Sequence, residues 1–333
     1  MLDGFKFEKR KVATGIQIAY RIGGEGQPLL LLHGYPQTHL MWAKIAHRLA
    51  EHFTVVMSDL RGYGDSDKPS SDPQHETYSF RAMAEDQASL MESLGYRQFA
   101  VAGHDRGARV THRMCLDHPD RVTQAAVLDI APTLTMYERT DMTFALGYYE
   151  WFLLPQPEPF PERLIGADPK FYLRYELLGW SQNKEAEIAS IFDPDCLAEY
   201  ERCFCDPLTI HATCEDYRAA ASIDLAHDRN DREAGRKIKC PLLVLWGAAN
   251  RVLEAFDMLD SWRKVSDSSV EGHVLPCGHY LPEEMPQEVV AVQDHGPDVV
   301  KAVCALGHAP VKELRTHVGV VHVQERKLDR RRH

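Results

Sequence analysis

The chain has 333 residues, 44% hydrophobic and 26% charged, a composition typical of a globular protein with a large core. Its formal net charge of −11 argues against general affinity for nucleic acid or anionic membranes, but it leaves room for a small anionic substrate in a positive pocket. Because no apolar run has membrane-spanning or signal-peptide character and no CxxC pair occurs, we expect a cytoplasmic protein with free thiols and no metal or other cofactor.

The amino-terminal part predicts strands that alternate with helices. An alternating strand in "GIQIAYRI" precedes a continuous apolar strand, Pro28 to Leu32, of the kind covered on both faces in parallel sheets. The segments that follow predict strand, helix, strand, helix and strand: "FTVVMSDL", "RAMAEDQASLMESLG" with Gly95 as its stop signal, "QFAVAGH", "ARVTHRMCLDHPDRV" and "QAAVLDIAP". This order predicts βαβ units and an α/β fold with a mostly parallel, doubly wound sheet.

The strand pattern stops after Pro132 and returns at "CPLLVLWGA", Cys240 to Ala248. The intervening residues, 133–236, are rich in aromatic residues, prolines and helical segments, so we interpret them as an α-helical cap inserted into one core. The core is then formed by residues 1–132 and 237–333, of which 289–333 are atypical. Their last part is expected to be disordered or loosely packed, although "THVGVVHVQ" alternates enough for a short strand.

The stretch "GHDRG" places Asp105 between Gly103 and Gly107, after an apolar strand and before a helix. Small residues on both sides of a sharp strand-to-helix turn are typical of the nucleophile elbow of α/β-hydrolases, in which the central side chain stands exposed above the sheet. We therefore interpret Asp105 as a nucleophile. By itself the pattern is weak, because an Asp in such a turn is often only a helix cap.

Three further segments occur in the order expected for that fold. "LLLLHGYP" predicts an oxyanion-hole loop in which the backbone N–H groups of Tyr35 and Arg106 are paired donors. The loop "PCGHYLPEE" carries His279, and "AVLDIAP" ends in the acid Asp129. Nucleophile, acid and histidine then follow one another in the α/β-hydrolase order.

Two of these assignments have competitors. The more usual position of the acid reads "WGAANRV" and offers no carboxylate, which favours Asp129, whose alternative role is to cap a helix. His279 is chosen from the 17 histidines by its position in the chain. The competing histidines are His33, His104 and His273. Of these, His33 is expected to brace its own loop.

A carboxylate nucleophile narrows the chemistry, because it can displace a leaving group from saturated carbon and form an ester on Asp105. Water activated by His279, with Asp129 orienting the ring, would then hydrolyse that ester. Carbon–halogen hydrolysis and epoxide opening both fit. Arg106 and Arg109 are three residues apart in the first helical turn, where each cation opposes the helix dipole at a cost of roughly 0.3–1 kcal/mol. Such a pair is suited to bind the carboxylate of a short 2-haloacid, whereas the alternative for Arg109 is a structural salt bridge to an acid.

The segments "LLLLHGYPQTHLMW", "GHDRGARVTHRM", "VLDIAPT", "CEDYRA" and "GHYLPEE" resemble those of haloacetate (fluoroacetate) dehalogenases of the α/β-hydrolase superfamily, from about residue 15 to residue 290. The resemblance implies Asp105, Asp129 and His279 as the triad, carboxylate binding by Arg106 and Arg109, and a homodimer as the usual assembly. It also implies a halide pocket, which in the family uses a His-Trp pair and a tyrosine of the cap. The matching positions here are Glu150, Trp151 and Tyr217.

Glu150 departs from the family pattern, which has histidine at this position. An ionised glutamate only accepts hydrogen bonds and would repel a halide, whereas Trp151 and Tyr217 carry donors. The carboxyl is therefore protonated, or turned away, or the chain has lost the ability to release fluoride. We expect weak defluorination and better activity on chloro- or bromoacetate.

Two other functions remain open at this level. An epoxide hydrolase shares the Asp nucleophile and needs two tyrosines of the cap, which is rich in them, but an uncharged epoxide gains little from paired arginines. A non-catalytic ligand binder with the same fold is the third alternative, and the intact triad pattern argues against it.

Overall fold

The computed structural model describes residues 2–181, 188–250 and 256–290, and these residues form an eight-stranded sheet. The strands, in chain order, are β1 (Lys6–Lys11), β2 (Gln17–Gly23), β3 (Gln27–Leu32), β4 (Phe53–Ser58), β5 (Phe99–His104), β6 (Val122–Leu128), β7 (Leu242–Gly247) and β8 (Val270–Leu275). Their order in the sheet is β1-β2-β4-β3-β5-β6-β7-β8. Only the β1–β2 and β2–β4 pairs are antiparallel, which confirms the mostly parallel sheet.

Helices cover the sheet and fill the interval between β6 and β7. Those outside this interval are α1 (Ala43–Ala50), α2 (Phe80–Ser93), α3 (Arg106–Asp117), α13 (Met258–Lys264), α14 (Leu281–Glu284) and α15 (Pro286–Val289). Those within it are α4 (Thr133–Glu138), α5 (Met142–Gly147), α6 (Glu150–Leu153), α7 (Phe160–Ala167), α8 (Pro169–Trp180), α9 (Ile188–Ile191), α10 (Pro194–Phe204), α11 (Pro207–Ala220) and α12 (Ile223–Glu233). We refer to residues 133–236 as the cap.

The apolar patterns locate the central strands well, and the ends of the elements differ by a few residues. Leu29 to Leu32 are all buried, as a strand covered on both faces requires. The helix predicted over 108–122 begins earlier, at Arg106, and ends at Asp117, because Pro119 cannot continue it. Gly95 follows α2 with φ +92°, as expected for a residue that ends a helix.

Two other differences concern the edges of the fold. The polar sequence "KFEKRK" forms the exposed edge strand β1, which the apolar pattern does not predict. Most of the atypical tail, residues 291–333, and with it the short strand expected in "THVGVVHVQ", lies outside the described residues.

The strand order creates one place where loops diverge. After β3 the chain forms β4 on one side of it, whereas after β5 it forms β6 on the opposite side. The direction of winding therefore reverses between the neighbouring strands β3 and β5. In open α/β sheets, ligands bind at such a point, outside the carboxyl ends of the strands. The loop after β3 contains Tyr35, and Asp105 directly follows β5; both residues were selected from the sequence.

Candidate active site

Asp105 occupies the turn between β5 and α3. Its φ of 47° and ψ of −114° form a conformation that is costly for a residue with a Cβ. A Cβ on Gly103 would lie 2.3 Å from the carbonyl oxygen of Gly107, and a Cβ on Gly107 would lie 2.4 Å from that of Leu32. Both positions therefore require glycine, and the resulting turn packs closely on β3 while presenting the Asp105 carboxylate at the start of α3.

The environment of Asp105 keeps its carboxyl ionised. The side chain is 4% exposed, and the Tyr35 backbone N–H donates to its Oδ1 at 2.9 Å. Burial by itself would raise the pKa of Asp105, but the positive charges of His279 and Arg109 outweigh that effect and lower it. A buried, ionised carboxylate next to cationic groups has the properties of a nucleophile.

His279 and Asp129 form a hydrogen-bonded pair. Nδ1 of His279 lies 2.5 Å from Oδ2 of Asp129, and burial of the ring is offset by this carboxylate, so the pKa of His279 is raised. Nε2 of His279 is buried without a hydrogen-bond partner among the described residues. The charge of Asp105 also raises the pKa of His279, and the charge of His279 lowers the pKa of Asp105. Asp105, Asp129 and His279 come after the carboxyl ends of β5, β6 and β8.

Asn250 contributes to this pair, although the sequence analysis gave it no role. It follows β7, in the segment where the sequence analysis noted that a carboxylate is absent. Its Nδ2 donates to Oδ2 of Asp129 at 2.7 Å and to Tyr148 Oη at 2.6 Å. The Gly247 N–H donates to Oδ1 of Asp129 at 2.8 Å. Asp129 thus accepts several bonds that fix its orientation, and it does not cap a helix.

The competing histidines lie in other environments. His33 accepts from the Leu60 N–H through Nε2 at 3.1 Å, so it braces the loop after β3. Nε2 of His104 lies 2.7 Å from the His279 carbonyl oxygen, and burial lowers the pKa of His104 to about 3. His273 is exposed on β8.

Arg106 is paired with an acid of the cap. Its Nε donates to Oδ2 of Asp216 at 2.9 Å, and its Nη2 donates to Oδ1 and to the carbonyl oxygen of the same residue. Tyr63 Oη also donates to Asp216, at 2.6 Å. Asp216 stands within the quoted segment "CEDYRA", but the sequence analysis gave it no role. It fixes Arg106 across the junction between the core and the cap.

Arg109 is held by neutral groups. Its Nη1 donates to Thr133 Oγ1 at 3.0 Å and to the Ala131 carbonyl oxygen at 3.3 Å, and its guanidinium lies 4.5 Å from the centre of a Trp151 ring. The structural salt bridge considered for Arg109 is therefore formed by Arg106 instead. Within the described residues, Nε of Arg109 and Nη1 of Arg106 are buried donors without a partner. Buried guanidinium donors without a partner are suited to bind an anion.

Of the three positions matched to a halide pocket, Trp151 and Tyr217 contact these arginines. The Tyr217 ring is centred 4.1 Å from the Arg106 guanidinium and 6.5 Å from a Trp151 ring. Glu150 is fully buried, and neither of its carboxyl oxygens has a hydrogen-bond partner among the described residues. Burial, reinforced by the charge of Glu176, raises the pKa of Glu150 well above its ordinary value.

Neither a metal cluster nor a membrane span is found in the part of the chain that the structure describes. No group of three or more His, Cys, Asp or Glu side chains there has the proximity needed to hold a metal ion. None of the described helices is both long and apolar enough to cross a bilayer.

Comparison with known proteins places this arrangement in a family. The sequence profile of the alpha/beta hydrolase fold matches residues 27–286. The chain is 45% identical over 293 residues to a fluoroacetate dehalogenase of Burkholderia sp., covering 88% of this chain and 93% of that protein. It is 32% identical over 278 residues to a soluble epoxide hydrolase of Corynebacterium sp. (strain C12), covering 83% and 92%.

A solved structure from Nostoc sp PCC 7120, described as an alpha/beta hydrolase, superimposes with a TM-score of 0.83 and 55% identity. The matched region covers 86% of this chain and 96% of that one. The chain belongs to the α/β-hydrolase family and is a haloacetate dehalogenase-like hydrolase.

Proposed function

We propose that this chain hydrolyses short 2-haloacids such as haloacetates through an ester on Asp105. The observation that carries the proposal is the pairing of an ionised, buried carboxylate with two arginines that each retain a free buried donor. Nη1 of Arg106 and Nε of Arg109 would bind the substrate carboxylate and hold its α-carbon against Asp105. The likeness to the Burkholderia fluoroacetate dehalogenase supports the same reaction class.

In the first step, an Asp105 carboxylate oxygen attacks the carbon that bears the halogen, and the halide leaves with the electron pair of the broken bond. The positive N-terminus of α3 and the charges of the two guanidinium groups favour binding of the anionic substrate, and the guanidinium charges help to keep Asp105 ionised. No proton has to be removed from this nucleophile, which distinguishes it from serine.

In the second step, His279 takes a proton from water through Nε2, and the resulting hydroxide adds to the ester carbonyl. Asp129 orients the ring through Nδ1 and stabilises the imidazolium that forms. The Tyr35 N–H, already directed at Oδ1 of Asp105, and the Arg106 N–H, among the free donors that begin α3, would stabilise the oxyanion. When this intermediate collapses, the bond between the Asp105 carboxyl carbon and the alkoxy oxygen breaks, and the His279 imidazolium gives its proton to that oxygen. The hydroxy acid leaves, and Asp105 and neutral His279 are restored.

The leaving halide would be stabilised by the Trp151 N–H and the Tyr217 O–H, with Glu150 beside them. Because Glu150 replaces a nitrogen donor of the family pattern, we propose that fluoride release is slower here than chloride or bromide release. Equal rates for fluoroacetate and chloroacetate would contradict this part of the proposal.

Epoxide hydrolysis is the second candidate, supported by the Corynebacterium relative and by the tyrosines of the cap. Paired arginines beside the nucleophile disfavour it, since an epoxide carries no carboxylate. A ligand binder without catalysis is the third. The cytoplasmic location and the homodimer expected from the sequence stay predictions.

A halide-release assay distinguishes the three functions. Bromide release from bromoacetate is measured for the wild type and for Asp105→Asn, with styrene oxide as a second substrate. Release that Asp105→Asn abolishes supports the dehalogenase. Turnover of styrene oxide without bromide release favours the epoxide hydrolase, and inactivity on both substrates favours the binder.

A further inference from the structure

Trp180, the last residue of α8, connects the cap with the proposed general base. Its backbone carbonyl oxygen accepts a hydrogen bond from the His279 N–H at 2.9 Å. Its indole ring packs on the His279 imidazole, with 5.4 Å between the ring centres and 77° between the ring planes. The cap therefore contacts both the main chain and the side chain of His279.

The core holds the other sides of His279. Nε2 of His104 donates to the His279 carbonyl oxygen at 2.7 Å, and Asp129 bonds Nδ1 of the imidazole. The rings of His104 and Tyr280 are centred 4.4 Å and 5.2 Å from the imidazole. Of the three rings that pack on His279, Trp180 is the one that the cap supplies.

Two further aromatic residues pack on Trp180, and both are connected with the second step of the reaction. The Tyr35 ring is centred 5.9 Å away, and the N–H of this residue is a proposed oxyanion donor. The Tyr148 ring is stacked at 6.2 Å, and its hydroxyl accepts a hydrogen bond from Asn250, which also donates to Asp129. Trp180 thus packs among the groups that would hydrolyse the ester.

The arginines that would bind the substrate pack on other rings. The Arg109 guanidinium lies 4.5 Å from the centre of a Trp151 ring, and the Arg106 guanidinium lies 4.1 Å from the centre of the Tyr217 ring. The aromatic side chains that the cap contributes therefore have different partners: Trp151 and Tyr217 support the substrate-binding groups, and Trp180 supports the base.

We infer that Trp180 is a positioning residue for ester hydrolysis, and that its ring makes this step, more than formation of the ester, depend on how the cap packs on the core. The inference rests on the proposed dehalogenase function. Nε2 of His279 must hold a water in line with the ester carbonyl, so a small rotation of the imidazole costs rate. Because His279 takes no proton in the first step, the same rotation affects release of the halide far less.

A single-turnover experiment separates the two steps, because bromoacetate releases bromide in the first step and glycolate in the second. Bromoacetate is mixed with excess enzyme, and both products are followed in time for the wild type, Trp180→Leu and Trp180→Phe. Every variant keeps the backbone carbonyl that binds the His279 N–H, so the comparison tests the ring alone. Tyr175→Leu removes an exposed ring from the same helix and is the matched control, and Asp105→Asn corrects for bromide released by free cysteines.

In Trp180→Leu, we expect the rate constant for glycolate formation to fall by about tenfold, the effect of losing one aromatic contact, while that for bromide release stays within about twofold of the wild type. The ester on Asp105 should accumulate and be detected by mass spectrometry of the quenched protein. Trp180→Phe keeps one aromatic ring and should show the same selective effect at a smaller size. Tyr175→Leu should behave as the wild type does.

The inference is overturned if Trp180→Leu slows bromide and glycolate formation equally, if it changes neither rate, or if Tyr175→Leu has the same effect. If Trp180→Leu does not fold, the same criteria apply to Trp180→Phe. Absence of bromide release by the wild type would instead refute the proposed function itself.

Discussion

Asp216→Asn tests whether a cap residue positions the substrate-binding Arg106. Asp216 accepts hydrogen bonds from two nitrogens of the Arg106 side chain and one from Tyr63 Oη. The asparagine keeps one acceptor oxygen and presents an NH₂ group to one of these donors. At least one charge-assisted bond is lost, and the buried guanidinium loses its counterion.

The size of the effect follows from the hydrogen bond that Arg106 Nη1 would donate to the substrate carboxylate. A guanidinium that no longer directs Nη1 at the substrate forfeits one charge-assisted hydrogen bond, about 1.5–3 kcal/mol. This corresponds to a loss of about 10- to 150-fold in kcat/KM for chloroacetate, mostly through KM. Long-range attraction alone predicts the opposite sign, because removing a negative charge makes the pocket more favourable for an anion.

The assay measures KM and kcat for chloroacetate and for neutral chloroacetamide, which releases the same halide but carries no carboxylate. The chloroacetate-to-chloroacetamide preference should fall in Asp216→Asn. Asp206→Asn, at the N-terminus of the same helix and about 15 Å away along it, is the matched control and should keep that preference. Unchanged or tighter chloroacetate binding by Asp216→Asn, in a variant of normal Tm, would refute the positioning role.

Three further outcomes are expected. Asn250→Ala removes a donor to Asp129 and should lower kcat by about tenfold or more with little change in KM; an unaltered kcat would show that the bond does not matter. The kcat for bromoacetate should rise with pH through a limb above the ordinary histidine pKa of 6.5, since Asp129 raises the pKa of His279 and the base must be neutral; a limb below that value counts against this role. Burial raises the pKa of Glu283 from 4.5 to about 8, so the folded state binds this proton more firmly than the unfolded state and wild-type stability decreases as pH rises between those values. The Tm of Glu283→Gln should therefore vary less over that range, and equal variation would contradict the linkage.

The sequence predicts the sheet and the nucleophile turn because both depend on local signals. Runs such as Leu29 to Leu32 are apolar throughout only when two layers cover a strand, and the glycines around Asp105 are required by contacts shorter than any Cβ allows. Asp129 and His279 follow from their order along the chain, since strand ends of a parallel sheet meet at one edge.

The remaining contacts of the site depend on how the cap packs on the core. Asp216 pairs with Arg106 across 110 residues of sequence, and no periodicity encodes such a contact. Asn250 lies in a loop where only the absence of a carboxylate is visible from the sequence, and its bond to Asp129 requires the strands to be assembled. The missing hydrogen-bond partners of Glu150 likewise appear only when every neighbouring element is in place.

The central claim is that Asp105 forms a covalent ester, and trapping that ester is its most direct test. His279→Gln should still be alkylated but should not hydrolyse the ester, so incubation with chloroacetate is followed by mass spectrometry of the peptide that contains Asp105. The double variant His279→Gln with Asp105→Asn controls for adventitious alkylation of the free cysteines. We expect one carboxymethyl group on Asp105 in the single variant and none at this position in the double variant. Chloride release by His279→Gln without any modification of Asp105 would contradict the account.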